Sequence, residues 1–487
     1  MTLCCLTFAL FATAPLHAQP DSLWSRTYGG QSLDRCNSLV QTADGGYALA
    51  GFTDSFGAGD RDFWLVRTDE NGDSIWSRTY GGRREEVCNS LIQTADRGYA
   101  LAGHTKSFGA GREDFWLIRT DENGDSLWSH TYGGESYDGC HSLIQTADGG
   151  FALAGLTSSF GEIAGNVWLV RTDDNGDSLW SRSYGGRGVD GGRGVDYCNS
   201  LVQTVDGGFA LAGWTTSFGA GSCDFWLVRT DENGDSLWSR TYGGESYESC
   251  SSIIQTTDGG YALAGVTGSF GAGDDDFWLV RTDENGDSLW SCTYGGELSD
   301  ECYSLSQTAD GGYALAGRTN SFGVGRCDFW QVRTNENGDS LWSRTYGGEN
   351  TDMCHSLIQT ADGGFALAGD TWSFGVGEYD FWLVKLGPEN GVNDDGATAP
   401  LQFGLDGVYP NPFNAQAVSS YKLQVSSWVS LCLYDLRGQL VETLTEGWQE
   451  AGEHRVVIDA TRMAAGIYLI RLQVGGDRFT KKALVIK

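Results

Sequence analysis

Seven tryptophans, Trp24, Trp76, Trp128, Trp180, Trp238, Trp290 and Trp342, follow one another at intervals of 52, 52, 52, 58, 52 and 52 residues. A period of that length, kept over most of a chain, restricts the fold to architectures assembled from one repeated unit. Each unit contains four short runs of strand-forming residues. In the first they are CNSLVQT (36–42), YALAGFT (47–53), DFWLVRT (62–68) and DSIWSRTY (73–80), here strands A to D. The links ADGG between A and B and ENG between C and D suit tight hairpins that close on a left-handed glycine. Only 6 prolines stand against 71 glycines, and no helical periodicity is sustained. Four antiparallel strands per unit are the signature of a propeller blade, so the expected fold is all-β, with a seven-bladed propeller. Runs such as FWLV and YALAG, apolar at consecutive positions, fit blades buried on both faces.

One motif breaks the count of seven. TDENGDSIW (68–76) has six copies and looks at first sight like a calcium loop. The repeats begin on a D strand, DSLWSRTY (21–28), and end on a C strand, DFWLVKL (380–386). The final blade therefore takes its D strand from the N-terminal segment. The ring closes by that exchange, and one C–D turn has to disappear. Spacing also opposes calcium: an EF-hand loop needs Gly at position six and Glu at twelve. Counted from Asp69, the Gly is fourth and the twelfth residue is Tyr80. Asp69 is expected to accept backbone N–H groups within a turn.

The seven copies also serve as an internal comparison. The A–B and C–D turns scarcely change, Arg97 in place of Gly being one exception. Differences gather in the other two links. After AG in strand B stand Phe52, His104, Leu156, Trp214, Val266, Arg318 and Asp370, and two residues on stand Asp54, Lys106, Ser158, Thr216, Gly268, Asn320 and Trp372. The D–A links vary too, and one carries the tandem insertion GGRGVDGGRGVD at 185–196. Successive strands alternate in direction, so the B–C and D–A links share one face and the constant turns share the other. The varied face is the expected ligand surface, with Phe52, His104, Lys106, Trp214, Arg318, Asp370 and Trp372 as candidate contacts for a glycan or protein.

Two rows of acids occupy the same face. Asp34, Glu86, Asp138, Asp196, Glu248, Asp300 and Asp352 each stand two residues before a cysteine. A second row precedes strand C: Asp62, Asp114, Asp224, Asp276, Asp328 and Asp380, with Asn166 as the exception. Two readings stay open: caps for their own loops, or a cation-binding ring built on the first row around the central channel, with calcium as its ion. No other cofactor is expected. The cysteines themselves, Cys36, Cys88, Cys140, Cys198, Cys250, Cys302 and Cys354, are expected as small buried residues. Neighbouring sheets pack about 10 Å apart, too far for a disulfide.

The formal charge of -32 repels phosphate backbones and argues against a nucleic-acid partner. The apolar run at residues 3–14 is too short to span a bilayer, and nothing else is long enough. Small residues up to Ala18 suit cleavage there, so residues 1–18 are expected to be a signal peptide, although no Lys or Arg precedes the run. No GxSxG or HExxH occurs, and the six histidines have no metal-ligand spacing. The expected function is non-catalytic binding or adhesion. The alternative is an extracellular polysaccharide hydrolase or lyase with its site on the varied face.

The repeat, with Tyr132-Gly133-Gly134, Asp138, Ser142, Asp148-Gly149-Gly150, Gly155, Thr157 and their equivalents, resembles secreted bacterial seven-bladed propeller repeats over residues 21–387. That resemblance speaks to fold rather than activity. A polar linker is expected at 388–402. Residues 403–487 then resemble the type A C-terminal sorting domain of the type IX (Por) secretion system, through YPNPFN (409–414), LYDLRGQLV (433–441), AGIYLIRL (465–472) and a Lys-rich end. The resemblance implies an Ig-like sandwich, Sec export, recognition by the type IX machinery, and release or anchoring at the outer surface of a Gram-negative bacterium.

Overall fold

The computed structural model describes residues 22–161, 165–188, 194–389, 404–409, 413–414, 416–423, 427–435, 440–449, 452–461, 463–474 and 477–486. The leader expected at 1–18 and most of the linker expected at 388–402 lie outside the described residues. The chain divides into two compact units.

The first unit consists of seven four-stranded antiparallel sheets. After β1 (Ser22–Tyr28), blade 1 is built from β2 (Asp34–Gln41), β3 (Tyr47–Thr53), β4 (Asp62–Thr68) and β5 (Ser74–Tyr80), paired in that order. The pattern repeats to residue 346. Blade 7 has β26 (Asp352–Gln359), β27 (Phe365–Thr371) and β28 (Asp380–Leu386), and its fourth strand is β1. Arg26 pairs with Leu383 and Tyr28 with Phe381, so the exchange of ends read from the sequence is present.

One packing rule joins every blade to the next. Strands B and C are buried almost throughout. Ala48 and Ala50 leave a shallow surface beside Phe63 and Leu65, and into it fit Cys88, Leu101 and Trp116 of blade 2. The same contact closes the ring: Ala366, Ala368, Phe381 and Leu383 of blade 7 meet Cys36, Leu49 and Trp64 of blade 1. Small against large at each interface gives interior-like packing without strain. At six of the seven interfaces a serine of the inner strand adds a polar stitch. Ser38 Oγ accepts the Leu91 N–H of the next blade at 3.1 Å, and Ser356 Oγ accepts that of Leu39 at 3.2 Å across the closure. The seven ring cysteines are free and buried between blades.

The two constant turns hold the ring from the opposite face. In the C–D turn, Asp69 Oδ1 accepts the N–H groups of Asn71 and Asp73 at 2.9 and 2.8 Å. Gly72 has φ of 77°, and a Cβ there would stand 2.5 Å from the Trp24 ring of the preceding blade. Tyr28 Oη donates to Gly72 O at 2.5 Å. Each C–D turn thus clamps the outer strand of its neighbour. Where the seventh turn is missing, Glu389 takes over: its Oε1 accepts from Trp342 Nε1 at 3.0 Å and Arg333 Nε at 2.9 Å. In the A–B turn, Asp44 pairs with Arg67 of strand C, whose side chain is buried. The pair recurs in the six other blades, as Lys385 with Asp362 in blade 7.

In the second unit, β29 (Gly404–Tyr409), β30 (Gln416–Leu423) and β33 (Gly452–Asp459) form one sheet. The other contains β31 (Ser427–Asp435), β32 (Leu440–Gln449), β34 (Gly466–Val474) and β35 (Asp477–Val485). Val429, Leu431 and Leu433, at alternate positions, share a core with Ile458, Ile470 and Leu472, as a two-layer sandwich requires.

Candidate functional site

The varied links lie at one end of the seven blades, and beside them a backbone irregularity recurs on every inner strand. In every blade the register of strands A and B shifts between the ring cysteine and the second residue after it. The intervening residue is a β-bulge, a device that re-aims a side chain. Those residues are Asn37, Asn89, His141, Asn199, Ser251, Tyr303 and His355, all half-buried on the innermost strands. The residue before each cysteine pairs with the varied strand-B position: Arg35 with Phe52, Tyr197 with Trp214, Glu301 with Arg318. These two inner-strand rows escaped the sequence reading, which compared loops. Applying the same comparison to either side of the constant cysteine finds them.

The candidate contacts separate by burial. Asp370 is fully buried and Phe52 is 5% exposed; His104, Lys106, Trp214 and Arg318 are half-buried. Trp372 is 44% exposed and leans on Tyr379 at 5.7 Å. The strand-B position therefore points between blades, because its cross-strand partner on strand C is a buried aromatic such as Phe63. Only Trp372 of the seven offers a broad open surface.

Unlike clusters form around the mouth. Between blades 1 and 2, Lys106 lies 3.1 Å from Glu85 and 3.2 Å from Glu113, and Arg61 lies 3.2 Å from Asp54. Burial opposes the Lys106 charge, but Glu85 and Glu113 outweigh it and raise its pKa. Burial pushes His104 down to about 4. Between blades 3 and 4, Trp214 stacks on Tyr197 with centroids 5.3 Å apart, and Tyr197 Oη lies 2.7 Å from His141 Nε2. Burial lowers His141 to about 3. At the closure, Asp370 Oδ1 lies 2.8 Å from His355 Nε2, and its Oδ2 lies 3.4 Å from Arg35 Nε.

Between blades 5 and 6 the wall opens into a pocket of about 180 Å³. Tyr247, Ser249, Ser251 and Val266 line it from blade 5, with Asp275 at the end of the B–C link; Glu301 and Tyr303 line it from blade 6. Ser299 Oγ bridges the two acids, 3.3 Å from Asp275 Oδ2 and 3.4 Å from Glu301 Oε1. Burial, then the neighbouring Glu301, raises the Asp275 pKa. Burial pulls Glu301 the same way, but hydrogen bonds from Arg318 and Tyr303 hold its carboxyl below the usual range.

The first acid row is buried and occupied. Asp34 accepts the Gly30 N–H at 2.7 Å, the Ser55 hydroxyl at 2.8 Å and the Thr53 hydroxyl. Glu86, Asp138, Asp196, Glu248, Asp300 and Asp352 are equally buried and hold equivalent loop groups. Among the described residues, no group of three or more His, Cys, Asp or Glu side chains is arranged to hold a metal ion. The second row faces the first across the D–A glycine. A Cβ on Gly81 would stand 1.7 Å from Asp62 Oδ1 and 2.7 Å from Glu86 Oε2, which is why that position is glycine. Asp62, Asp114, Asp276, Asp328 and Asp380 each keep a buried Oδ1 without a hydrogen-bond partner.

Fold and site define a class: a seven-bladed β-propeller with a diversified axial mouth, followed by a small β-sandwich. Residues 407–487 match the family of secretion system C-terminal sorting domains. That module is read by the type IX secretion machinery, and the protein is secreted to or displayed on the surface of a Gram-negative bacterium. No helix among the described residues is long and apolar enough to cross a membrane. Among curated proteins none matches the chain. Similar solved structures include a fungal alcohol oxidase in complex with copper, 11% identical with TM-score 0.47, covering 96% of this chain and 100% of that one. A puromycin hydrolase is 12% identical with TM-score 0.46, covering 80% of this chain and 59% of its own. Endo-1,5-alpha-L-arabinanase from Thermotoga petrophila RKU-1 is 11% identical with TM-score 0.30, covering 75% of this chain and 99% of its own. Likeness this distant carries no argument about activity.

Proposed function

We propose that the propeller is an extracellular, non-catalytic binding module that takes a glycan or protein ligand at the axial mouth formed by the B–C and D–A links. One observation carries this reading: residues that differ between otherwise repeated blades gather at that mouth in unlike clusters. Drift in surface loops has no reason to place its changes on the innermost strands, where they meet the neighbouring blade. Trp372, exposed and backed by Tyr379, supplies the kind of rigid aromatic anchor that dominates binding sites. A glycan array and pull-downs from surface extracts, run with the wild type and Trp372→Ala, test it. Trp372→Ala is expected to lower ligand affinity at least tenfold while changing stability by under about 0.5 kcal/mol. A ligand that binds the variant as tightly as the wild type refutes the assignment of this face.

The paired carboxylates of the pocket favour a second reading. Asp275 and Glu301 have proton affinities pushed in opposite directions, the pattern of an acid and a base. Hydrolase and lyase assays on polysaccharides, with Glu301→Gln as control, separate that reading from pure binding.

A further inference from the structure

The pocket between blades 5 and 6 has a chemistry more specific than its position. Its volume, about 180 Å³, is below the roughly 300–1,000 Å³ of sites for drug-sized ligands. It therefore takes one group of a ligand. Two tyrosines, Tyr247 and Tyr303, line it together with two acids, Asp275 and Glu301, and the Tyr303 ring rests on His355 with centroids 5.3 Å apart. The balance of charge is uneven. Arg318 pairs with Glu301, and Tyr303 donates to the same carboxylate at 2.6 Å. Asp275 receives only the long Ser299 bond and has exposed Asp274 beside it. The cluster therefore sets two carboxylates against one guanidinium, Arg318, which is committed to Glu301 and whose pull on Asp275 is the weakest of those acting on it. A neutral sugar would leave the Asp275 charge half-desolvated. A cation of matching size would neutralise it and lie against the tyrosine faces, whose quadrupoles attract positive charge.

The geometry points to an organic ammonium group as the ligand of this pocket, held between the Tyr247 and Tyr303 rings with Asp275 as its counter-ion. The inference rests on the reading of the mouth as a binding face and names the chemistry of one subsite. A lysine side chain and a quaternary amine share that chemistry, and the probes distinguish them.

The test is calorimetric titration of the full chain at low ionic strength with Nα-acetyl-lysine amide, with choline, and with 3,3-dimethyl-1-butanol, the uncharged isostere of choline. At least one cation is expected to bind tenfold or more tightly than the isostere. Asp275→Asn should remove at least tenfold of that affinity, and Ser251→Tyr, which fills the pocket and leaves its charges in place, should abolish it. Asp60→Asn, an exposed acid of the blade 1 B–C link that belongs to none of the clusters, should leave it unchanged. Equal binding of isostere and cation, an unaffected Asp275→Asn variant, or no binding of either cation overturns the inference. If both cations fail while a Trp372-dependent ligand is still bound, the ammonium assignment falls and the binding face stands. If no ligand of the mouth is found either, both fall.

Discussion

The repeated Arg–Asp pair beneath the A–B turn predicts an asymmetry between its two partners. In blade 5, Arg281 Nη2 pairs with both carboxylate oxygens of Asp258, and Nη1 donates to Tyr261 O at 3.3 Å and to Thr282 O. The Arg281 side chain is 7% exposed and that of Asp258 63%. Removing Asp258 strands a buried cation, and stranding one partner of a fully buried pair costs about 3–5 kcal/mol. Because Asp258 is mostly in water and Arg281 keeps its carbonyl partners, Asp258→Ala is expected to fall below that range, at about 2–3 kcal/mol. Arg281→Met removes the charge with its desolvation penalty and fills the same volume, so about 1 kcal/mol is expected. The double variant should resemble Arg281→Met alone, a coupling of about 2 kcal/mol. Guanidinium unfolding of the four proteins, compared at equal m-values, measures it. If Arg281→Met costs as much as Asp258→Ala, or the two costs simply add, the account of the pair is wrong.

Asp276, raised by burial and then by Asp300, holds its proton more tightly in the folded state. Its stabilising contribution is present below the ordinary carboxyl value of 3.8 and is lost as pH rises through the folded value. Asp276→Asn copies Asn166 of blade 3 and should gain stability relative to wild type as pH rises above 3.8, reaching about 1 kcal/mol in pH-dependent unfolding; a difference that does not change with pH contradicts it. Asp258, held low by the Thr256 hydroxyl first, has the opposite sign: its stabilisation is present above 3.8 and lost on acidification, so Asp258→Ala should flatten the acid limb. Arg97 has φ of 69° where other blades have glycine, so Arg97→Gly should raise stability by about 1 kcal/mol in the same assay. Tyr28→Phe should cost what Tyr80→Phe costs, about 1 kcal/mol, because both hydroxyls clamp the next blade's C–D turn; a silent Tyr28→Phe would mean that the ring is not closed by β1.

The sequence alone determined the architecture and the role of the turns. A 52-residue period, four strand runs per unit and a missing seventh turn leave one topology, because hairpin chemistry and strand alternation are local and survive in one dimension. The sorting module was legible for a similar reason, as an ordered set of motifs in a single stretch. The site was not. Loop variation pointed to one mouth, but Phe52 and Asp370 are buried there, and the inner-strand residues Tyr197, Glu301 and Tyr303 that complete the clusters are not singled out by it. Whether a residue beside the ring cysteine turns to the axis or between blades depends on a bulge and on contacts more than fifty positions away. Only the closed ring sets those contacts, and with them the place where aromatic and acidic side chains from different blades meet.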